Sequence, residues 1–335
     1  MDWYRMAARP ILFALPPEAA HRAAYALLAA PLSWERLGRP HRDPALATTF
    51  AGIALANPIG LAAGFDKTGR RLDALGRLGF GFVVGGTFTR RPRSGNPKPR
   101  IVRYRARASL VNAMGLPNPG AEAAAATFAR SPRTAPRFAS VADEDLEDVL
   151  ETHALLEPHV DAIELNASCP NVAWGRDRDD EAHLANLVRA LGERRSTPLI
   201  VKLAPFRTDA ERQAVLALAR IAVESGADAL TCSNTRPVAE ARLSVGRGGL
   251  SGRALRDDTP RIVAEVAEAV DHRVPIAACG GVGSPADVRV CLDAGASVVQ
   301  VYTSLIYRGP ALVGDFTAGL IGHATARAAV PTPNA

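Results

Sequence analysis

Short apolar runs alternate with longer amphipathic segments over most of the chain. The runs have four or five residues, as buried parallel strands do, and the segments between them repeat apolar residues at helical spacing. The predicted strands are 58–62, 81–85, 137–141, 162–165, 199–203, 229–232, 275–278 and 298–301. The clearest predicted helices are 71–78, 121–128, 146–156, 181–195, 210–224, 260–270 and 285–294. This alternation predicts a TIM (β/α)8 barrel rather than an open doubly wound sheet.

Two segments depart from this pattern. Residues 88–136 form a basic, proline-rich excursion between the second and third strands, and only its last part is helical in pattern. Residues 1–43 are predicted to form a small N-terminal helical extension, followed by the barrel over 44–325 and a tail over 326–335. The helix that starts at Pro17 is amphipathic. Its polar face carries Glu18, His21, Arg22 and Tyr25, and its apolar face carries Ala20, Ala24, Leu27 and Leu28. The apolar face is expected either to pack on the barrel or to form a membrane-surface or apolar-ligand site.

Composition narrows the class of protein. The 335 residues are 47% hydrophobic and 22% charged, which is enough for a large core, and no run approaches the ~18 apolar residues of a membrane span. The net charge of +6 comes mostly from dispersed arginine without a nucleic-acid motif, so nucleic acid is not an expected partner. The four cysteines lack metal-ligand spacing, and no secretory signal is recognisable. We therefore expect a cytoplasmic protein without a metal site.

Lysine is rare in this chain, which has only three among its 40 basic residues. Lys67 follows the first predicted strand, and Lys202 lies within the fifth. A lysine retained among so many arginines suggests a need for a compact ammonium group. Inside an apolar strand, Lys202 is expected either to extend its head group into water or to place its charge beside the N1–C2=O edge of a reduced flavin.

The other candidate functional residues also come directly after predicted strands, at the end of a barrel where active sites form. Gly280, Gly281 and Thr303 follow the last two strands, and with residues 248–252 they predict a phosphate-binding cradle. Asparagines in the predicted site loops offer paired donors and acceptors, which suit a ring with alternating C=O and N–H groups. Lys67 would add charge for a carboxylate, and Cys169 is the candidate base. The four asparagines are Asn112, Asn166, Asn171 and Asn234.

Several motifs resemble those of the dihydroorotate dehydrogenases, the flavin enzymes that oxidise dihydroorotate to orotate in pyrimidine synthesis. The resemblance runs from the N-terminal helices to Pro310, and its motifs are 60–67, 112–116, 166–171, 233–235, 248–253 and 301–304. It implies FMN contacts at Ala63, Gly64, Thr87, Lys202, Ser233, Gly252, Gly281, Tyr302 and Thr303. It implies substrate contacts at Lys67, Asn112, Met114, Gly115, Asn166, Asn171, Asn234 and Thr235, with Cys169 as the base.

The motifs resemble two classes of the family that differ in their electron acceptor. The N-terminal extension and motifs 248–253 and 301–304 resemble the membrane-associated, quinone-linked class. Cys169 stands where that class normally has serine, and cysteine there, with 112–118, is more similar to the soluble classes. Residues 139–141 also lack the flavin-contacting asparagine that quinone-linked relatives usually have. We expect a quinone acceptor and peripheral contact with lipid at the cytoplasmic face of the cell membrane. The alternatives are a related FMN barrel that uses another dihydropyrimidine, or fumarate or NAD, and a nucleotide-binding barrel without catalysis.

Overall fold

The computed structural model describes residues 3–167 and 180–328. Its central feature is a closed barrel of eight parallel strands, β3, β4, β7, β8, β9, β10, β13 and β14, each overlapping one of the eight predicted strands. The predicted TIM-barrel fold is therefore confirmed. The strands are β1 (Thr48–Phe50), β2 (Ile53–Leu55), β3 (Ile59–Leu61), β4 (Phe82–Phe88), β5 (Ile101–Tyr104), β6 (Ser109–Asn112), β7 (Arg137–Val141), β8 (Ala162–Leu165), β9 (Leu199–Leu203), β10 (Ala229–Cys232), β11 (Arg236–Ala239), β12 (Arg247–Gly252), β13 (Ile276–Cys279) and β14 (Val298–Val301).

Helices surround the barrel and precede it. The seven predicted barrel helices are present as α4 to α10, whereas α11 and α12 after the last strand were not predicted. The predicted tail begins inside α12, and its remainder lies outside the described residues. The helices are α1 (Arg9–Ala14), α2 (Pro17–Leu27), α3 (Trp34–Gly38), α4 (Leu72–Gly76), α5 (Ala121–Arg130), α6 (Leu146–Leu156), α7 (Asp180–Gly192), α8 (Asp209–Glu224), α9 (Asp258–Ala269), α10 (Pro285–Asp293), α11 (Thr303–Arg308) and α12 (Leu312–Ala328).

An aromatic cluster closes the amino end of the barrel. The β1–β2 hairpin places Phe50 over Phe82 and Phe138, with ring centroids 6.1 and 6.5 Å away. Phe82 and Phe138 are themselves 4.8 Å apart, and all three side chains are fully buried. Gly60 makes room for this cluster, because a Cβ there would lie 2.1 Å from the Phe82 ring. With the amino end sealed, the carboxyl ends of the strands form the accessible end of the barrel.

A four-stranded antiparallel sheet, in the order β11-β12-β6-β5, lies outside the barrel. It corrects two predictions: residues 88–136 contain the β5–β6 hairpin, and the whole predicted phosphate loop 248–252 lies within β12. Asn112 at the end of β6 is opposite Gly249 of β12 in this sheet. The sequence pattern missed these strands because they are short, and because β6 and β12 pair across about 140 residues of chain, where turn signals give no guidance.

Helix α2 attaches to the barrel through its polar face. The Tyr25 hydroxyl donates to Asp66 Oδ1 at 2.8 Å, and Arg100 Nη2 donates to Glu18 Oε2 at 2.8 Å. The His21 ring packs edge-to-face on Phe65, with centroids 5.5 Å apart. The apolar face contributes as well, since Ala20 and the following Leu28 are buried and Leu28 belongs to the main hydrophobic core. Within the described residues, no helix has the length and apolar character needed to cross a bilayer.

Candidate active site

Two adjoining cavities lie at the carboxyl ends of the barrel strands. The larger has a volume of about 890 Å³ and the smaller about 90 Å³, and Lys202 and Tyr302 line both. Every described residue of the predicted site lines at least one of them. Cys169 and Asn171 lie outside the described residues. The larger cavity is bordered by Ala63, Gly64, Lys67, Thr87, Asn112, Met114, Gly115, Asn166, Asn234 and Thr235, and the smaller by Ser233, Gly252, Gly281 and Thr303.

A layer of buried polar side chains inside the barrel supports the floor of the site. Lys202 Nζ donates to Glu164 Oε1 at 3.3 Å and to Gln300 Oε1 at 3.4 Å. Gln300 Nε2 and Thr231 Oγ1 both donate to Glu164 Oε2, at 2.9 and 3.0 Å. Glu164 and Thr231 are fully buried, and Lys202 is 5% exposed. Burial alone would lower the pKa of Lys202, but the Glu164 carboxylate raises it above its ordinary value.

Sequence reasoning missed the partners of Lys202. Glu164 is the one charged side chain of its apolar strand, and Gln300 is likewise the one polar residue of β14. An isolated polar residue in a buried strand is the same signal that singled out Lys202. Applied to every strand, it would have found both.

Hydrogen bonds join two of the asparagines and Thr87 across the carboxyl ends of β10, β8 and β4. Asn234 Nδ2 donates to Asn166 Oδ1 at 3.1 Å, and Asn166 Nδ2 donates to Thr87 Oγ1 at 3.2 Å. The Thr87 hydroxyl is 2.9 Å from that of Ser140, a residue missed from the sequence. Asn112 reaches the cavity from the overlying sheet, where its Nδ2 is 3.4 Å from the Gly249 carbonyl oxygen. The arrangement presents amide and hydroxyl groups from several directions to one polar ligand.

Lys67 brings a positive charge to the same cavity. Its ammonium donates to the Gly64 carbonyl. The pKa of Lys67 is lowered to about 8, chiefly by burial, with Asp66 opposing the change and Arg100 adding to it. The nearby His21 is also buried, which lowers its pKa to about 4, so the imidazole is neutral at pH 7. Lys67 is therefore mostly charged at neutral pH and suited to a carboxylate.

Glycines and small polar side chains line one part of the smaller cavity, beside Lys202 and Tyr302. Gly281 has φ +71°, and a Cβ there would lie 2.3 Å from the Arg256 nitrogen. Gly252 has φ +87°, and its Cβ would lie 2.5 Å from the Ala108 carbonyl oxygen. The Thr303 hydroxyl is 3.0 Å from that of Ser251. Glycine is required at both positions, and the resulting pocket suits a small polar group such as a phosphate.

The larger cavity extends from the polar groups around Lys67 to an apolar arm under the N-terminal helices. Tyr302 borders this cavity and packs edge-to-face on Phe65, with centroids 5.6 Å apart. The Tyr302 hydroxyl donates to the Gly64 carbonyl at 3.2 Å. The arm is lined mainly by apolar residues, among them Leu12, Phe13, Ala20, Ala24, Leu27, Leu28 and Trp34.

A (β/α)8 barrel with a polar, cationic site at the carboxyl ends of its strands belongs to the class of barrel enzymes that act on small polar substrates. Residues 45–322 match the family described as Dihydroorotate dehydrogenase. The chain therefore belongs to the dihydroorotate dehydrogenase family, and the resemblance inferred from its motifs is confirmed.

Similar proteins agree over nearly the whole chain. A protein of Rhodospirillum rubrum named Dihydroorotate dehydrogenase (quinone) is 38% identical over 93% of this chain and 88% of its own length. A protein of Acidithiobacillus ferrooxidans with the same name is 38% identical over 94% of this chain and 93% of its own. The crystal structure of a dihydroorotate dehydrogenase from Eimeria tenella in complex with ferulenol superposes with a TM-score of 0.82. It is 28% identical and covers 95% of this chain and 96% of that one.

Proposed function

We propose that this protein oxidises dihydroorotate to orotate with FMN as cofactor, in the de novo biosynthesis of pyrimidines (UMP), and passes the electrons to a quinone. The main support is one cavity that joins a polar end, bordered by Lys67, Asn112, Asn166 and Asn234, to an apolar arm under the N-terminal helices. A polar substrate and an apolar acceptor can thus reach one cofactor from two sides. The names of the relatives support both the substrate and the acceptor.

The residues present fit FMN. The glycine-lined small cavity suits its phosphate, and Lys202 offers a buried ammonium to a ring that gains negative charge when it is reduced. Bound FMN would supply the two-electron acceptor that side chains cannot provide. The residues that would hold it are Ala63, Gly64, Thr87, Lys202, Ser233, Gly252, Gly281, Tyr302 and Thr303.

The asparagines and Lys67 would hold the substrate. Lys67 pairs with its carboxylate, and Asn112, Asn166 and Asn234 match its ring C=O and N–H groups. Asn171 is proposed to join them, while Met114, Gly115 and Thr235 border the bound ring. Cys169 is proposed to take the proton from C5 of dihydroorotate as a thiolate base.

The N-terminal helices are proposed to contact lipid at the cytoplasmic face of the membrane. Among the described residues, nine large apolar side chains are exposed, and six of them lie within residues 3–32. The same segment roofs the apolar arm of the larger cavity. A cluster of this kind marks an interaction surface, and it suits peripheral attachment beside a membrane-dissolved quinone. The six are Trp3, Met6, Ile11, Leu15, Leu27 and Leu32.

The purified protein tests this function under anaerobic conditions. Dihydroorotate should bleach the flavin absorbance, whereas dihydrouracil should not, because it lacks the carboxylate that pairs with Lys67. A ubiquinone analogue should then restore the colour faster than fumarate or NAD. Purified protein without colour would contradict FMN as the cofactor. Bleaching by dihydrouracil would contradict dihydroorotate as the substrate, and faster reoxidation by fumarate or NAD would contradict quinone as the acceptor.

The charge of Lys67 makes substrate binding dependent on pH. Since the pKa of Lys67 is lowered to about 8, its ammonium is lost as the pH rises through that value. The KM for dihydroorotate should rise about tenfold between about pH 7 and pH 9, where the protonated fraction falls by that factor. Lys67→Met should have a high KM that varies little over the same range. A variant that kept the wild-type KM profile would exclude Lys67 as the carboxylate partner.

The exposed apolar residues should govern reaction with membrane-dissolved quinone. The double variant Met6→Glu/Ile11→Glu replaces side chains that are 66% and 68% exposed, so folding should be little affected. It should lose most liposome binding and most turnover with a long-chain quinone, while dihydroorotate still bleaches its flavin. Val290→Glu on α10, 50% exposed, is the matched control and should behave as wild type. Equal liposome binding by all three proteins would contradict the proposed membrane surface.

A further inference from the structure

Four barrel strands contribute one side chain each to a closed set of hydrogen bonds below the site. Glu164 of β8 accepts from Lys202 of β9, Thr231 of β10 and Gln300 of β14, and Gln300 also accepts from Lys202. The carboxylate thus has three donors, and each donor comes from a different strand. It is fully buried and borders neither cavity, so it can influence a ligand only through its neighbours.

Of these neighbours, Lys202 carries a charge and borders both cavities, whereas Gln300 borders the smaller one. The Lys202 ammonium has three N–H bonds, and Glu164 and Gln300 accept two of them. The lysine borders both cavities, so the third N–H is available to a bound molecule. The contacts with Glu164 and Gln300 therefore determine where the third N–H points.

We propose that Glu164 is a positioning residue, whose carboxylate fixes the Lys202 ammonium at the floor of the site and keeps it protonated whether the flavin is oxidised or reduced. The proposal rests on the proposed flavin function. Its consequence is that Lys202 exchanges no proton with solvent when the flavin takes up two electrons.

Among the groups around Lys202, Glu164 is the one whose negative charge favours the protonated ammonium. Gln300 and Thr231 carry no charge, and the remaining titratable group that acts on Lys202 is Cys279 at the end of β13. Burial raises the pKa of the Cys279 thiol, with a further rise from Glu164 and an opposing effect of Lys202, so the thiol stays neutral. Burial would lower the pKa of Lys202 if the carboxylate were absent. Lys202 would then lose its proton beside the oxidised flavin and regain one from solvent as negative charge develops.

The test is the midpoint potential of the flavin in the ligand-free holoenzyme, measured as a function of pH. Glu164→Gln keeps the shape of the side chain and removes its charge. Its potential should fall more steeply with pH than that of the wild type, over the range where Lys202 titrates, because one additional proton accompanies the two electrons. Lys67 also titrates in this cavity, but it is present in all variants and its contribution is common to them.

Three further variants separate charge from packing. Thr231→Val removes one hydrogen bond to the same carboxylate without changing charge, and its curve should run parallel to that of the wild type. In the double variant Glu164→Gln/Lys202→Met, no additional proton should accompany the two electrons, so the steeper dependence on pH should disappear. The exchange Glu164→Gln/Gln300→Glu places a carboxylate at position 300, where the native Oε1 lies 3.4 Å from Lys202 Nζ. This variant should show the wild-type dependence of the midpoint potential on pH. It also serves if Glu164→Gln alone does not fold.

The outcomes distinguish this inference from the function on which it depends. Wild-type protein without flavin would overturn the proposed function. Flavin-bound Glu164→Gln with a curve parallel to that of the wild type would overturn the role of Glu164 alone. So would an additional proton that persisted after Lys202→Met was added, or a steep slope in the exchange variant.

Discussion

The charge of Lys202 inside the barrel is the constraint on which the site depends. An ammonium removed from water is costly unless it is paired and hydrogen-bonded, and the apolar layer of Phe50, Phe82 and Phe138 toward the amino end offers no partner. Glu164 of the adjacent strand β8 supplies that partner, Gln300 of β14 accepts a second hydrogen bond from Lys202, and Thr231 donates to the carboxylate. The barrel therefore has a sealed apolar end, a polar layer of balanced charge and an open end where ligands bind.

The N-terminal helices extend this arrangement toward a second ligand. Tyr25–Asp66 and Glu18–Arg100 fix α2 at its polar face. Its apolar face is buried in part, at Ala20 and the following Leu28, and also lines the larger cavity. Asp66 precedes Lys67, so the residue that anchors the helix adjoins the residue proposed to bind the substrate carboxylate. The attachment of the extension and the geometry of the polar site are thus built on the same loop.

The barrel could be predicted from the sequence because each strand is a short apolar run with its own turn signals. Polar residues that follow such runs, such as Asn166 and Asn234, could be predicted to meet because the carboxyl ends of parallel strands lie together. The antiparallel sheet could not, since Asn112 of β6 lies opposite Gly249 only through a pairing between distant segments. Glu164 could have been singled out as the one charged residue of its strand, but its role comes from its distance to Lys202, which sequence spacing does not express.

The role proposed for the Lys202 ammonium is to stabilise the charge that develops on a bound flavin. Anaerobic stopped-flow measurement of flavin reduction by dihydroorotate in Lys202→Met tests it most directly, with the exposed Lys98→Met as the matched control. Loss of one preorganised charge should slow reduction by on the order of 100-fold, or about 3 kcal/mol, while Lys98→Met retains the wild-type rate. A flavin-bound Lys202→Met protein that is reduced within about threefold of the wild-type rate, under 1 kcal/mol, would contradict the account.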